Sequence, residues 1–197
     1  EAELRLLKRG IEATPNGVVM ADASDPELPL VYVNTAFLGI TGYRRDEVLG
    51  RNCRFLQGKD TDAQAVAEIQ DAIAERREHQ VTLLNYRKDG TPFWNLFTIA
   101  PVFDIQGNCT HYVGIQQDIT DQLENEEKLR FQRTHDLLTG LPNRIAFESR
   151  LEDDYQLFRH QSRRLAVLVI NLDGFKAIND GLGHQMGDRL LQEVGQR

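Results

Sequence analysis

Cysteine is scarce in this sequence, with two residues in 197, Cys53 and Cys109. Two thiols close at most one disulfide, and neither has the neighbouring Cys and His spacing of a zinc site, so no metal is expected. Their sequence settings differ too much to pair them. Positive charge is short as well: 23 Lys and Arg against 30 Asp and Glu leave a net charge of −7. That balance excludes nucleic acid and anionic membrane as main partners, since both need basic stripes. No apolar run approaches the ~20 residues of a membrane span. The Glu1-Ala2-Glu3-Leu4 start lacks a basic region followed by an apolar one, which makes a cytoplasmic location the expectation. No internal repeat or low-complexity tract occurs. What is present is ordinary for a soluble globular protein of one to two domains, 41% hydrophobic and 27% charged.

Leu4, Leu7 and Ile11 recur at helical spacing and predict a flanking helix within residues 1–15, ended by Pro15-Asn16-Gly17. Its stripe packs either on its own domain or on a partner copy. Val18–Asp22 and Leu30–Asn34 read as strands around a loop holding Pro26 and Pro29. Thr61-Asp62-Ala63-Gln64 has the form of a capping box, and Ala65, Ile69 and Ile73 supply the stripe of a helix over about 62–75. Three strands are predicted next, over 80–87, 93–102 and 110–119, joined by Asp89-Gly90 and Gln106-Gly107-Asn108 in an antiparallel meander. Cys109 falls at the second turn and reads as exposed and incidental. Over 120–134 the acids Asp121, Glu124, Glu126 and Glu127 precede the bases Lys128, Arg130 and Arg133, which suits a helix dipole. Glu124 with Lys128 and Glu126 with Arg130 fall at i, i+4. Only Leu123, Leu129 and Phe131 are apolar there, so this connector is either solvated or half of a coiled coil. Leu165–Leu172 is the apolar run expected of a central strand buried on both faces.

Strand alternation selects a candidate pocket. Val81, Leu83 and Asn85 share one face; so do Phe93, Asn95, Phe97 and Ile99, and so do Tyr112, Gly114 and Gln116. If these faces point inward, apolar walls carry the amides Asn85, Asn95 and Gln116. A buried amide without partners costs roughly 1 to 3 kcal/mol, so the set implies a polar ligand or a water cluster. The other reading leaves one or two of the amides at strand ends in solvent.

The string Gly50-Arg51-Asn52-Cys53-Arg54-Phe55-Leu56-Gln57-Gly58 gathers a thiol, two guanidiniums and two amides. It resembles the signature of light-oxygen-voltage (LOV) photosensor domains of the PAS superfamily, and the Asn34–Tyr43 segment is similar to the PAS strand-then-helix pattern. The resemblance implies an α+β fold with a five-stranded antiparallel sheet over 16–119, binding FMN. It implies reversible addition of the Cys53 sulfur to flavin C4a in blue light. It assigns flavin contacts to Asn52, Gln57, Asn85, Asn95, Phe97 and Gln116, the terminal phosphate to Arg54, and room for the ring to Gly114. Protonation at flavin N5 would then reorient Gln116, on the strand that enters the 120–134 helix. Many relatives carry a second phosphate-binding arginine where this chain has Gln70. The alternatives are a packed core thiol at Cys53, a flavin redox or oxygen sensor, and a PAS dimerisation module with an empty pocket.

Asp136–Arg144 resembles the entry of GGDEF (diguanylate cyclase) domains, and Asn171–Asp180 with Gly183-His184 and Gly187-Asp188 resembles their nucleotide-binding stretch. Residues 135–197 are therefore expected to be a truncated α/β GGDEF fragment. The resemblance gives Asn179 and Asp188 to guanine and puts Asn171 where active members bind metal through an aspartate. A neutral amide is a poor magnesium ligand, and the Gly-Gly-Asp-Glu-Phe loop is absent from the sequence, so the chain as given is not expected to be an enzyme. GTP or cyclic di-GMP would enter only through a full-length effector, itself a diguanylate cyclase or a regulator of a phosphodiesterase domain. A homodimer through the flanking helices is expected.

Overall fold

The computed structural model describes residues 2–160 and 164–196. The chain divides after Leu123 into two compact units.

In the first unit, helix α1 (Ala2–Ala13) precedes strands β1 (Gly17–Asp22) and β2 (Leu30–Val33). Helices α2 (Thr35–Thr41) and α3 (Arg45–Val48), a 3-10 turn (Cys53–Leu56) and helix α4 (Ala63–Ala74) follow. Strands β3 (His79–Tyr86), β4 (Pro92–Phe103) and β5 (Cys109–Asp118) complete the sheet, ordered β2-β1-β5-β4-β3. Every neighbouring pair is antiparallel. The predicted strands and the α4 helix are present with ends shifted by a residue or so. The helix cap differs: Asp62, not Thr61, accepts from the Gln64 N–H at 2.9 Å. Thr61 is engaged elsewhere, its hydroxyl donating to the Leu84 carbonyl at 2.7 Å and tying the preceding loop to β3. Cys109 is half-buried against the Tyr112 cluster rather than exposed, because β5 begins at Cys109 itself.

Asn34 holds the early elements together. It is fully buried, and its Oδ1 accepts from the Val18 N–H at 2.8 Å and the Phe37 N–H at 3.0 Å. Its Nδ2 donates to the Ile11 carbonyl at 3.0 Å and the Asn16 carbonyl at 2.9 Å. One amide thus caps α2, fixes the start of β1 and anchors the end of α1. Glu12 adds to the anchor by accepting from the backbone N–H and hydroxyl of Thr35 and from the Tyr32 hydroxyl. Those bonds, the Thr35 N–H first, hold its carboxyl below the usual range. Among the described residues the α1 stripe is not covered, since Leu7 is 61% and Ile11 38% exposed. The Leu4 side chain lies outside the described residues.

At the far end of β5, Asp118 accepts from the Thr120 N–H at 3.0 Å and hydroxyl at 2.6 Å, which starts helix α5 (Thr120–Thr134). Arg87 donates to the other Asp118 oxygen at 2.6 Å and lies over the Phe93 ring at 4.6 Å. Burial opposes ionisation of Asp118, but Thr120 and Arg87 outweigh it and keep the carboxyl below its ordinary value. Thr120 also accepts from the Trp94 N–H at 2.9 Å, stitching the helix start to β4. Of the charged pairs expected beyond it, Glu124 and Lys128 lie 3.7 Å apart, and no residue of the helix is buried.

The second unit contains the rest of α5, then α6 (Arg144–His160), α7 (Phe175–Leu182) and α8 (His184–Gly195). The central strand expected over Leu165–Leu172 is not formed. Leu168 is 86% and Val169 93% exposed. A strand needs a neighbour to bond its N–H and C=O groups and a layer to cover its faces, and no described residue supplies either. Among the described residues no helix is long and apolar enough to cross a membrane.

Because Asn34 makes four bonds inside a sealed site, Asn34→Ala should lower unfolding free energy by about 2 to 4 kcal/mol in chemical denaturation. A loss under ~1 kcal/mol would remove it as the organising amide.

Candidate functional site

The concave face of the sheet, the 3-10 turn and α4 enclose a cavity of about 360 Å³. Sheet register sets its walls: Gln116 stands opposite Phe97, Asn95 opposite Leu83, and Gly114 between Val19 and Ile99. Leu83, Asn85, Asn95, Phe97, Ile99, Tyr112, Gly114 and Gln116 all line it, so the alternation read from sequence points inward. Val81 and Phe93 do not line it; Phe93 is buried beneath Arg87 instead. From the turn come Asn52, Cys53, Arg54 and Gln57.

The amides are incompletely satisfied. Asn95 Nδ2 donates to Asn85 Oδ1 at 2.9 Å, yet Asn95 Oδ1 and Gln116 Oε1 are buried without a partner. Each such orphan costs roughly 1 to 3 kcal/mol unless a ligand or water meets it. Gln116 Nε2 donates to Cys53 Sγ at 3.5 Å, placing the thiol and the innermost amide on one side of the cavity. Burial pushes the Cys53 pKa up to about 12, and the Gln116 contact offsets this only in part. Nucleophilic cysteines that act in the ground state have depressed pKa values from nearby cations or helix N-termini. Cys53 has the opposite setting and keeps its proton.

Asn52 is a local organiser: its Oδ1 accepts from the Arg54 N–H at 2.9 Å, and its Nδ2 donates to the Glu27 carbonyl at 2.6 Å. The Arg54 guanidinium is exposed at the rim and paired with Glu27. Gly114 lines the cavity without a side chain to fill it. A Cβ there would meet Val19 Cγ2 at 2.9 Å and Phe97 Cε2 at 3.0 Å, so the glycine lets those two walls close in. Sequence reasoning missed the α4 contribution: Val66, Ile69 and Ile73 face the cavity, as does Gln70. The helical stripe of Ile69 and Ile73 marks an inward face, but periodicity alone does not tell a cavity wall from packed core.

In the second unit, Asn179 Oδ1 is buried without a partner and sits so close to Gly187 that a Cβ there would lie 1.9 Å away. Asp188 and Asn171 are exposed. No group of three or more His, Cys, Asp or Glu among the described residues could hold a metal ion.

Residues 15–121 match the PAS domain model. The LOV domain of the Erythrobacter litoralis EL346 blue-light activated histidine kinase superposes with a TM-score of 0.52 at 46% identity, covering 54% of this chain and 98% of that one. The chain contains a LOV domain of the PAS family. The dark structure of the Aureochrome1 LOV photoreceptor is similar too, with a TM-score of 0.53 at 42% identity over 66% of this chain and 95% of that one. Among curated proteins, Blue-light-activated histidine kinase 1 of Erythrobacter litoralis is 40% identical over 84% of this chain and 49% of its own length. The Blue-light photoreceptor of Listeria monocytogenes is 44% identical over 63% of this chain and 50% of its length. The chain thus spans half or less of these relatives. Residues 133–197 match the diguanylate cyclase GGDEF domain model, so the LOV domain is joined to GGDEF sequence.

With its pKa near 12, Cys53 in the ligand-free Cys109→Ala chain should alkylate slowly at about pH 8, with a rate rising about tenfold per pH unit through about pH 10. A plateau below about pH 9, followed by mass spectrometry, would show a thiolate site instead.

Proposed function

We propose that this chain is a blue-light sensor that holds FMN in the LOV cavity and uses Cys53 as its photoreactive group. The observation that carries the reading is the pair of orphaned oxygens, Asn95 Oδ1 and Gln116 Oε1, in a cavity that Cys53 also lines. An isoalloxazine edge alternates carbonyl acceptors with an N–H donor, and amides answer both because each has an acceptor and two donors. Asn85, Asn95 and Gln116 would hold that edge, Phe97 and the aliphatic walls would flank the ring, Asn52 and Gln57 would contact the ligand, and Arg54 would hold its phosphate. When bound, the flavin would supply blue-light absorption and an excited ring able to react with Cys53, whose thiol would be the photoreactive group and the proton source. Cys53 keeps its proton in the dark, which suits a thiol that reacts only with an excited partner.

Gln116 is the relay. It contacts Cys53 and lies on β5 two residues before Asp118, whose carboxylate starts α5. Turning the Gln116 amide changes the strand next to that cap, and α5 continues toward the GGDEF sequence. The output concerns cyclic di-GMP in a full-length protein; Asn171 at the expected metal position favours a regulatory GGDEF domain over an active cyclase. The exposed Leu6 and Leu7 of α1 and Leu129 and Phe131 of α5 favour pairing of two copies through the flanking helices.

Absorption spectra under blue light test the reading. The chain should show a flavin band that bleaches on illumination and recovers in the dark, and Cys53→Ala should keep the band and lose the bleaching. Flavin that never bleaches in the unmodified chain would favour a redox sensor; a colourless chain that takes up no added flavin would sink the pocket assignment.

A further inference from the structure

Among the described residues, Arg54 is the single charged side chain on the cavity wall, and a carboxylate already occupies its guanidinium. Its partner, Glu27, follows Pro26 and precedes Leu28, both of which line the cavity, and its carbonyl is fixed by the Asn52 amide. The carboxylate is thereby carried on a tethered loop at the rim. Neither side chain is buried, so the competition of Glu27 for Arg54 is open to screening by salt. Any anionic group arriving at Arg54 must displace Glu27 or share the guanidinium with a like charge. On α4, the neutral Gln70 lines the same cavity and adds no second cation.

We infer that Glu27 sets ligand choice at this site: by competing for Arg54 it cancels the preference for a phosphorylated flavin, so the cavity takes riboflavin nearly as well as FMN. The inference rests on the flavin reading above. The isoalloxazine contacts supply the shared affinity, and the Arg54–Glu27 pair decides how much the terminal phosphate adds.

Binding of riboflavin and of FMN to the flavin-stripped full chain, followed by quenching of flavin fluorescence at low and high salt, tests this. The unmodified chain should bind the two within about threefold of each other. Glu27→Gln should tighten FMN by roughly three- to tenfold at low salt and leave riboflavin unchanged, and the gain should shrink in high salt. Arg54→Gln combined with Glu27→Gln should abolish it. An FMN-to-riboflavin ratio that is the same in the unmodified chain and in Glu27→Gln overturns the inference while leaving the flavin site standing. Binding of neither flavin overturns the flavin reading and this inference together.

Discussion

Unsatisfied amides on a concave sheet are the constraint from which the LOV cavity of this chain follows. Asn95 and Gln116 each bury an oxygen that no described residue answers, although both side chains are almost wholly enclosed. A core built for stability alone would place apolar residues there, because a buried lone acceptor costs more than the packing gains. The sheet tolerates them because β3 pairs with β4 along its whole length and β4 pairs with β5 in unbroken register from Asn95 to Val102. The early elements are fixed separately by Asn34, an amide with every partner in place. The two kinds of asparagine separate the structural half of the fold from its receptive half.

The same sheet links reception to output. Gln116 and Asp118 lie on one strand, and Asp118 is shared between Arg87, which is braced on Phe93, and the first turn of α5. The exit of β5 is therefore held by a few charge-assisted bonds with directional geometry, which are sensitive to small shifts. Beyond it, α5 buries none of its residues, so it can respond without unpacking a core.

Most of the LOV site is legible in the sequence because a period of two is hard to mistake: alternation over β3, β4 and β5 by itself places the three amides on one face. The turn residues Asn52, Cys53, Arg54 and Gln57 stand out by resemblance, and they do meet at the cavity. What is not legible depends on competition or on neighbours. Thr61 fits a capping box, yet Asp62 takes the cap because Thr61 finds a carbonyl on β3. Glu27 carries no motif, and only the fold brings it to Arg54. The Leu165–Leu172 run has the composition of a buried strand, but composition does not provide the strands beside it.

A protonated thiol that gives up its proton only in light is the centre of the proposed photochemistry. The infrared S–H stretch of Cys53 in the flavin-loaded Cys109→Ala chain, recorded in darkness and during blue illumination, tests this most directly. An S–H band present in the dark at about pH 8, lost as the flavin band bleaches and restored in step with dark recovery, is the predicted result. A chain with no dark S–H band, or one whose band persists while the flavin bleaches, would contradict it.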